Sequence, residues 1–254
     1  MERRAFFREH GWLVVRGAVA RARVEELERA LDAVVPPSYY ARGLGGRVLE
    51  LPGISRGSAE LAAHARDPHL ARVAAEALGA RRLRLLQDSA LVKAPADPAR
   101  VEWHQDFTYL GFLEPASIAT ARLALTPCTR ESGCLRVLDG SHAWGLVGEV
   151  RALKSAAVDD ALALLPEELR RRAAGAEVVI ELEPGDVSLH HCLTFHSSGS
   201  NGGAQARKTL VARFFDAACR VVPERLAPGA AAHFPTDAGG YLLAGEFPVV
   251  HEDV

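Results

Sequence analysis

The chain has 254 residues, 48% of them hydrophobic and 24% charged, which is the make-up of a globular protein with a substantial apolar core. The formal net charge is -2 and the basic residues are scattered, so we expect no nucleic-acid partner. No apolar run approaches the roughly 20 residues that cross a bilayer, and the charged start MERRAFFREHGWLVV has no secretory leader. We therefore expect a cytoplasmic protein with no membrane partner. The cysteines have no C-x-x-C spacing and are expected to be reduced and buried: Cys128, Cys134, Cys192 and Cys219.

The first third of the chain is predicted to be mostly helical. Apolar residues recur at helical spacing in three segments, 3–10, 22–35 and 70–78. The first should end at Gly11 and the second before Pro36. The third follows Asp67, an N-cap residue, with Pro68 at the first helical position, and should end at Gly79.

A segment rich in Gly, Pro and Arg separates these helices, PPSYYARGLGGRVLELPGISRGS. We interpret it as an irregular surface loop. Long irregular loops in compact domains often cover a binding site, so a mobile cover is the functional alternative. The sequence leaves both interpretations open.

From Arg82 onward the chain changes to short apolar or alternating runs separated by turn residues. Six runs are predicted strands: RLRLLQDSALVKA, SIATARLALTPC, GCLRVLDGS, AEVVIEL, DVSLHHCLTF and KTLVARFFDAA. Strands without helices between them favour an antiparallel sandwich or barrel of the jelly-roll type. A helical insertion is predicted from about Ser155 to Ala174. We thus expect a mainly β protein with flanking helices in a single domain, 1–254, with a helical part at about 1–80, a core at about 82–220 and an insertion at about 145–175.

The stretch WHQD contains two candidate metal ligands, His104 and Asp106. Side chains alternate along an extended chain, so these two residues can converge on one point. A lone H-x-D pair is a weak signal, because it arises readily by chance. Two histidines and one carboxylate on one face of a metal are the arrangement of non-haem Fe(II) oxygenases, so a third ligand is needed.

Three histidines late in the chain are candidates for that ligand: His190, His191 and His196. The first two lie inside an apolar run, where core histidines with satisfied hydrogen bonds are the alternative, and at most one of the pair can face the interior. His196 ends the run beside a turn of small residues, SSGSNGG, which leaves one side of it open. We prefer His196.

Arg207 supports that preference. A 2-oxo acid bound to iron needs a cation for its far carboxylate, and a guanidinium offers a bidentate fork. Arg207 follows His196 across the turn and starts the next strand, so it can return to the same cavity, whereas Lys208 should face the other way.

These residues resemble the phytanoyl-CoA dioxygenase family of Fe(II)/2-oxoglutarate oxygenases. The matching stretches are LVKAPADPARVEWHQD, LALTPCTRESGCLRVLDGSH, EPGDVSLHHCLTFHSSGSN and ARKTLVARF, within about Gln87 to Phe214. The resemblance implies a double-stranded β-helix, a cupin-like jelly roll. It also implies Fe(II), 2-oxoglutarate and O2 as cofactors, with iron on His104, Asp106 and His196 and the distal carboxylate on Arg207.

The resemblance suggests further site residues. Ser198 is expected to help bind the distal carboxylate, and Gln87 either lines the pocket or lies at the surface. Where the family often has Trp, this chain has Arg122, which either reaches solvent at a strand edge or contacts 2-oxoglutarate or a substrate carboxylate. Aromatic residues near the motif could line a substrate pocket or serve in packing: Tyr39, Tyr40, Phe107 and Tyr109.

We expect an oxygenase that hydroxylates or otherwise oxidises a small molecule, a secondary metabolite or an amino-acid derivative. Related halogenases lack the carboxylate ligand, so Asp106 favours hydroxylation. Two alternatives remain, a cupin-like isomerase or hydrolase that uses no 2-oxo acid and a non-catalytic ligand-binding jelly roll. The oligomeric state is expected to be a monomer or a homodimer.

Overall fold

The computed structural model describes residues 2–42, 48–148 and 161–253. The α-helices in these ranges are α1 (Arg3–His10), α2 (Arg21–Val34), α3 (Pro37–Arg42), α4 (Ala59–Ala65), α5 (Pro68–Leu78), α6 (Phe107–Leu110) and α7 (Glu167–Ala173). Short 3-10 helices lie at Ile54–Gly57, Ser141–Trp144, Ala161–Leu164, Pro223–Arg225 and Ala230–His233. The strands are β1 (Trp12–Val15), β2 (Leu49–Pro52), β3 (Arg82–Lys93), β4 (Val101–His104), β5 (Leu113–Glu114), β6 (Ile118–Ala124), β7 (Leu135–Leu138), β8 (Glu177–Ile180), β9 (Val187–His191), β10 (His196–Ser198), β11 (Arg207–Asp216), β12 (Arg220–Val221) and β13 (Val249–Glu252).

The strands form two main antiparallel sheets. The large sheet has the order β1-β9-β6-β11-β3-β13, with β2 also paired to β3, and the small sheet has the order β4-β10-β7-β8. Strands β5 and β12 form a separate pair. Neighbours in each sheet come from distant parts of the chain, as in the double-stranded β-helix, or jelly roll, that the sequence predicts.

The outer face of the large sheet is apolar and is covered by helices. On β11, Leu210, Ala212 and Phe214 belong to one buried cluster with Leu27 of α2 and Val73 of α5. Because strand side chains alternate, the intervening positions of β11 point to the opposite, inner face. That inner face carries the polar residues of the candidate site.

The predicted helices and strands are confirmed with small shifts at their ends. Asp67 caps α5 by accepting hydrogen bonds from the backbone N–H groups of His69 and Leu70. Gly11 ends α1 in the left-handed conformation, with φ 76°. All six predicted strands are present as β3, β6, β7, β8, β9 and β11.

The interpretation of the Gly- and Pro-rich segment as an irregular loop is wrong for its described residues. Pro37 starts α3, where a proline at the first helical position costs no hydrogen bond. Leu49 and Leu51 lie in β2 and pair with Val92 and Ala90 of β3, so this part extends the large sheet. Residues 43–47 lie outside the described residues.

The predicted helical insertion is described in part. Residues 149–160, which include the predicted start at Ser155, lie outside the described residues. The remainder contains the 3-10 helix Ala161–Leu164 and α7. The four cysteines are free and buried, as expected. None of the helices in the described ranges has the length and apolar character that a membrane span requires.

Candidate metal and co-substrate site

His104, Asp106 and His196 lie together at the junction of β4 and β10. His104 ends β4 and is directly opposite His196, the first residue of β10, in the antiparallel register. Asp106 Oδ1 lies 3.7 Å from Nε2 of His104 and 3.7 Å from Nε2 of His196. One ligand atom from each residue falls within 4.8 Å of the others, so the three can hold one metal ion.

Backbone carbonyls fix the orientation of both imidazoles. Nδ1 of His104 lies 2.8 Å from the carbonyl oxygen of Glu102, and Nδ1 of His196 lies 2.9 Å from that of Thr194. A carbonyl can only accept, so each Nδ1 carries the hydrogen and each Nε2 directs its lone pair into the space that it shares with Asp106 Oδ1, where a metal ion would bind. Burial, reinforced by the neighbouring His104 and His190, lowers the pKa of His196 well below its ordinary value. His196 is therefore neutral, as a metal ligand must be.

Asp106 is held by its second oxygen, which leaves the first free for a metal. Oδ2 accepts a 2.7 Å hydrogen bond from the Thr120 hydroxyl and lies 3.3 Å from Nε2 of His190 and 3.7 Å from Nε of Arg213. Burial opposes ionisation, but the charge of Arg213 and then the surrounding histidines hold the pKa of this carboxyl well below its usual range. Asp106 is thus an ionised carboxylate with Oδ1 facing both histidines.

The two other candidate histidines occupy different surroundings. His190 faces the site, but its Nε2 is directed at the occupied oxygen of Asp106. His191 is on the opposite face of β9, where its Nδ1 accepts a 3.1 Å hydrogen bond from the backbone N–H of Leu193. One residue of the pair faces the interior of the site, and His196 is the histidine that joins His104 and Asp106 in a ligand cluster.

A second group of polar residues lies further along the inner face, where Lys93, Arg122 and Arg207 of the large sheet meet Ser198 of β10 in the small sheet. We call these four residues the basic chamber. Arg207, at the start of β11, is buried and donates a 2.8 Å hydrogen bond from Nη1 to the carbonyl of Gly133. Its Nε has no partner among the described residues. Burial lowers the pKa of Arg207, and the groups that oppose this effect are Cys128, Cys134 and Tyr39, with no carboxylate among them.

Lys93 is opposite Arg207 in the register of β3 and β11 and is fully buried. Its Nζ donates to Ser198 Oγ at 2.9 Å and also contacts the carbonyl of Gly199. Burial, followed by the charges of Arg207 and Arg122, lowers the pKa of Lys93 to about 6. The chamber therefore holds three buried basic groups that disfavour one another's charge and form no ion pair with the described side chains.

Gly133 accepts the hydrogen bond from Arg207 at a point where its backbone lies against that of Gly199. It has φ 72°, and a Cβ atom built on it would lie 2.3 Å from the carbonyl oxygen of Gly199. A side chain at this position would push apart the turn after β10 and the loop before β7, so glycine is required. Asn201 holds the same turn by donating from Nδ2 to the carbonyls of Ala94 and Gln205.

Arg122 is buried within the large sheet, with 7% of its surface exposed. Strand β6 lies between β9 and β11, so the alternative of a strand-edge arginine that reaches solvent is wrong. Burial, and then the positive charge of Arg207, lowers the pKa of Arg122 to about 10. It makes no hydrogen bond or ion pair with the described residues.

The remaining predicted residues differ in their surroundings. Gln87 is on the inner face opposite Arg213, and its Oε1 lies 3.4 Å from Nη1 of that arginine. Tyr109 is 48% exposed, with its ring centroid 6.4 Å from that of His104. Phe107 belongs to a buried apolar cluster that includes Leu110.

Tyr39 and Tyr40 connect α3 to the rest of the fold. The hydroxyl of Tyr39 donates to the carbonyl of Val92 at 2.6 Å, and the hydroxyl of Tyr40 donates to Asp32 at 2.6 Å. Both hydroxyls are therefore engaged in structural contacts.

The sequence did not predict the contacts that four further residues make in the site. Lys93 lies in the basic chamber, while Thr120, His190 and Arg213 contact Asp106. Strand alternation does place Gln87 and Lys93 on one face, which is the signal that could have identified the lysine. The partners of Asp106 come from three different strands, so their convergence depends on the sheet register.

The donor set fits an iron centre with a 2-oxo acid. Two neutral imidazoles and one carboxylate match the ligand preference of non-haem iron. The buried guanidinium of Arg207, with its unpartnered Nε, fits an anionic carboxylate at the other end.

Comparison with known proteins relates this geometry to a family. The family model described as phytanoyl-CoA dioxygenase (PhyH) matches residues 7–209. The chain is 23% identical over 241 residues to the peroxisomal phytanoyl-CoA dioxygenase of Bos taurus, which covers 87% of this chain and 70% of that protein.

Solved structures show the same fold. The non-haem alpha-ketoglutarate-dependent carbocyclase SnoK from nogalamycin biosynthesis has a TM-score of 0.77 at 24% identity, covering 98% of this chain and 95% of that chain. The epimerase SnoN, solved in complex with Fe3+, alpha-ketoglutarate and nogalamycin RO, has a TM-score of 0.72 at 24% identity, covering 97% of this chain and 96% of that chain.

These findings confirm the predicted family, fold, oxygenase class and cofactors, namely Fe(II), 2-oxoglutarate and O2. They give no support to a cupin-like isomerase or hydrolase, or to a non-catalytic ligand-binding jelly roll. The chain belongs to the phytanoyl-CoA dioxygenase family of Fe(II)- and 2-oxoglutarate-dependent oxygenases.

Proposed function

We propose that this oxygenase holds Fe(II) with His104, Asp106 and His196, binds 2-oxoglutarate through Arg207, and hydroxylates a small molecule. The observation that carries this assignment is the buried, incompletely paired guanidinium of Arg207 on the inner face of the large sheet, the face whose residues also contact Asp106 of the preformed His-Asp-His cluster. Iron with 2-oxoglutarate and O2 supplies the oxidising chemistry, in which the 2-oxo acid is converted to succinate and carbon dioxide. The chain supplies binding, orientation and the exclusion of water.

Ser198 and Lys93 would act together on the distal carboxylate. The Ser198 oxygen accepts a hydrogen bond from Lys93, so its own hydrogen is free to be donated to a carboxylate beside Arg207. The Ser198 hydroxyl and the Arg207 guanidinium would then both donate hydrogen bonds to the distal carboxylate. This arrangement supports the roles that the sequence resemblance implies for Arg207 and Ser198.

The substrate is proposed to enter on the side of His104 and Tyr109. His104 is the partly exposed member of the triad, and Tyr109 is the exposed aromatic residue next to it. Gln87 and Arg213 line the inner face beside Asp106 and offer polar contacts. Phe107 would contribute through packing beneath this region.

The substrate class is proposed to be a secondary metabolite or an amino-acid derivative. The likeness to a carbocyclase and an epimerase of nogalamycin biosynthesis supports a secondary metabolite. The presence of Asp106 as a carboxylate ligand favours oxidation of a C–H bond over halogenation. Hydroxylation is the outcome that we propose.

The experiment is a metabolite panel with the Fe(II)-loaded protein, 2-oxoglutarate and O2. Succinate formation should depend on O2 and on one panel member, whose mass should increase by one oxygen atom. The matched control is Asp106→Ala, which should form no succinate. Succinate without any gain of oxygen would replace hydroxylation by another oxidation, and equal turnover by Asp106→Ala would overturn the ligand assignment.

Three broader predictions remain with this proposal. A single domain is supported by the apolar cluster that joins the N-terminal helices to the large sheet. A cytoplasmic location and a monomeric or homodimeric state stay predictions. Gel filtration of the purified chain would measure the oligomeric state.

A further inference from the structure

One row of residues across the inner face of the large sheet has polar atoms without partners. Val211 of β11 pairs with Ser89 of β3 and with Arg122 of β6, and Arg122 pairs with Ser188 of β9. Directly paired residues point to the same face of a sheet. The hydroxyls of Ser89 and Ser188 are buried without a hydrogen-bond partner in the described structure. Arg122 likewise has none, so the row presents three polar groups to the same space.

The row lies between the two ends of the proposed site. On one side is the row of Arg213, Thr120 and His190, all of which contact Asp106. On the other side, further along β11 and β3, is the pair of Arg207 and Lys93. Arg122 is thus one row from the residues that contact the metal ligand Asp106 and two rows from Arg207.

The charge on Arg122 requires a partner. A pKa of about 10 keeps this buried group protonated at neutral pH, and the strongest charge effect on it, that of Arg207, is repulsive, with weaker opposing effects from Cys128 and Asp106. A buried unpaired cation is costly unless an anion neutralises it. The described side chains supply no ion pair to Arg122, so a bound anion would offset this cost.

We propose that Arg122 binds the carboxylate of 2-oxoglutarate that adjoins the keto group, so that the co-substrate is held by an arginine at each end. This inference rests on the proposed function. Arg122 is next to the row that contacts Asp106, whereas the distal carboxylate is assigned to Arg207, two rows beyond. The hydroxyl of Ser188, which is paired directly with Arg122, provides a further donor for the same end. The hydroxyl of Ser89 is in the same row but two strands away, on the other side of Val211.

The test is calorimetry on Mn(II)-loaded protein with two titrants, 2-oxoglutarate and 2-oxopentanoate, which keeps the keto acid but lacks the distal carboxylate. Arg122→Gln should weaken the binding of both acids by the same factor, about 30-fold or more. Arg207→Gln should weaken 2-oxoglutarate by a similar factor and leave 2-oxopentanoate unchanged. Arg84→Gln removes a buried arginine that bonds the Phe247 carbonyl away from the site and should change neither affinity.

Two outcomes would overturn the inference. If Arg122→Gln weakens 2-oxoglutarate alone, Arg122 belongs to the distal carboxylate, and if it weakens neither acid, Arg122 lies outside the co-substrate site. Should Arg122→Gln fail to fold, Arg122→Lys keeps the charge without the fork and should weaken both acids by an intermediate factor. Failure of the wild-type protein to bind 2-oxoglutarate would instead contradict the proposed function.

Discussion

The metal end of the site, formed by His104, Asp106 and His196, and the basic chamber both adjoin the inner face of the large sheet but differ in how their polar atoms are satisfied. At the metal end, His104, Asp106 and His196 each have a protein partner that fixes the atom facing away from the cluster. In the basic chamber, Arg207 and Arg122 are buried without a carboxylate partner among the described residues. The first region is pre-organised for a cation, and the second is incomplete until an anion binds.

This difference has consequences for stability as well as for binding. Groups that are already partnered should resist substitution, because their loss leaves a buried polar atom unpaired. Unpaired buried cations should be dispensable for folding, because their removal relieves a desolvation cost. Substitutions at the two ends can therefore separate binding from stability.

The largest effect is expected for His196→Ala. Loss of a ligand should reduce Mn(II) affinity by more than the roughly 100-fold that loss of an outer-shell partner costs. The matched control is His191→Ala, which removes a buried histidine from the other face of β9 and should leave Mn(II) affinity unchanged. The Mn(II) affinity of each variant is measured by titrating the protein with Mn(II) and following free Mn(II) by electron paramagnetic resonance. Equal losses of affinity in the two variants would contradict the choice of His196 as the ligand.

Arg207→Met should separate co-substrate binding from folding. We expect 2-oxoglutarate affinity to fall by about 30-fold or more, because the distal carboxylate of the bound co-substrate loses the guanidinium that would pair with it. We also expect the ligand-free protein to be unchanged or more stable by about 1–4 kcal/mol, because an unpaired buried charge is replaced by an apolar side chain. Calorimetry and urea unfolding test the two parts, and a strong loss of stability with unchanged affinity would contradict the account.

Thr120→Val should have a smaller effect at the metal end. The substitution removes the 2.7 Å hydrogen bond to Asp106 with little change in shape. Mn(II) affinity should fall by about tenfold, the lower range for an outer-shell partner. Thr209→Val is the control, because Thr209 is also on the inner face but donates to the Leu91 carbonyl. An effect of the control as large as that of Thr120→Val would argue against a specific role for Thr120.

The pH dependence of stability should report on Lys93. Its folded pKa of about 6 is below its ordinary value of 10.5, so between these values the unfolded chain binds a proton that the folded chain does not. Lys93 therefore destabilises the ligand-free protein most at or below pH 6, and the penalty falls as the pH rises. Lys93→Met should raise the melting temperature at pH 6 and gain progressively less toward pH 9.

Lys208→Met is the control for that measurement. Lys208 is on the opposite face of β11, where Glu28 and Asp32 accept its hydrogen bonds and raise its pKa despite burial. Its stabilising contribution is fully present between pH 6 and 9, so the loss in Lys208→Met should be constant over that range. The charged groups that act on Lys93 from other elements are Arg207, Arg122, Arg136 and Asp97. A pH-independent effect of Lys93→Met would show that Lys93 remains protonated in the folded chain.

Local sequence signals predicted the frame of the site. Alternation predicted that His104 and Asp106 converge, and they do, although β4 ends at His104 and Asp106 has a helical conformation at the start of α6. The turn of small residues predicted that His196 and Arg207 lie on consecutive strands, which the structure places in different sheets. The resemblance to the family joined these residues into one site. The terminal signals of α1 and α5 also predicted their bounds, because caps and glycines act within one helical turn.

Non-local register explains what the sequence could not predict. The contact of Thr120 and His190 with Asp106 requires β6 and β9 to pair in one register. The Gly- and Pro-rich segment was interpreted as a loop because its composition outweighs the short alternation of Leu49 and Leu51, which becomes a strand through pairing with β3. The unpaired state of Arg122 likewise depends on neighbours that only the fold brings together.

The most direct test is a crystal structure of the protein with Mn(II) and 2-oxoglutarate, with Mn located by anomalous scattering. We expect Mn to be bound by Nε2 of His104, Nε2 of His196 and Oδ1 of Asp106, with the distal carboxylate of 2-oxoglutarate against Arg207. Metal bound elsewhere, or a co-substrate carboxylate that does not contact Arg207, would contradict this expectation.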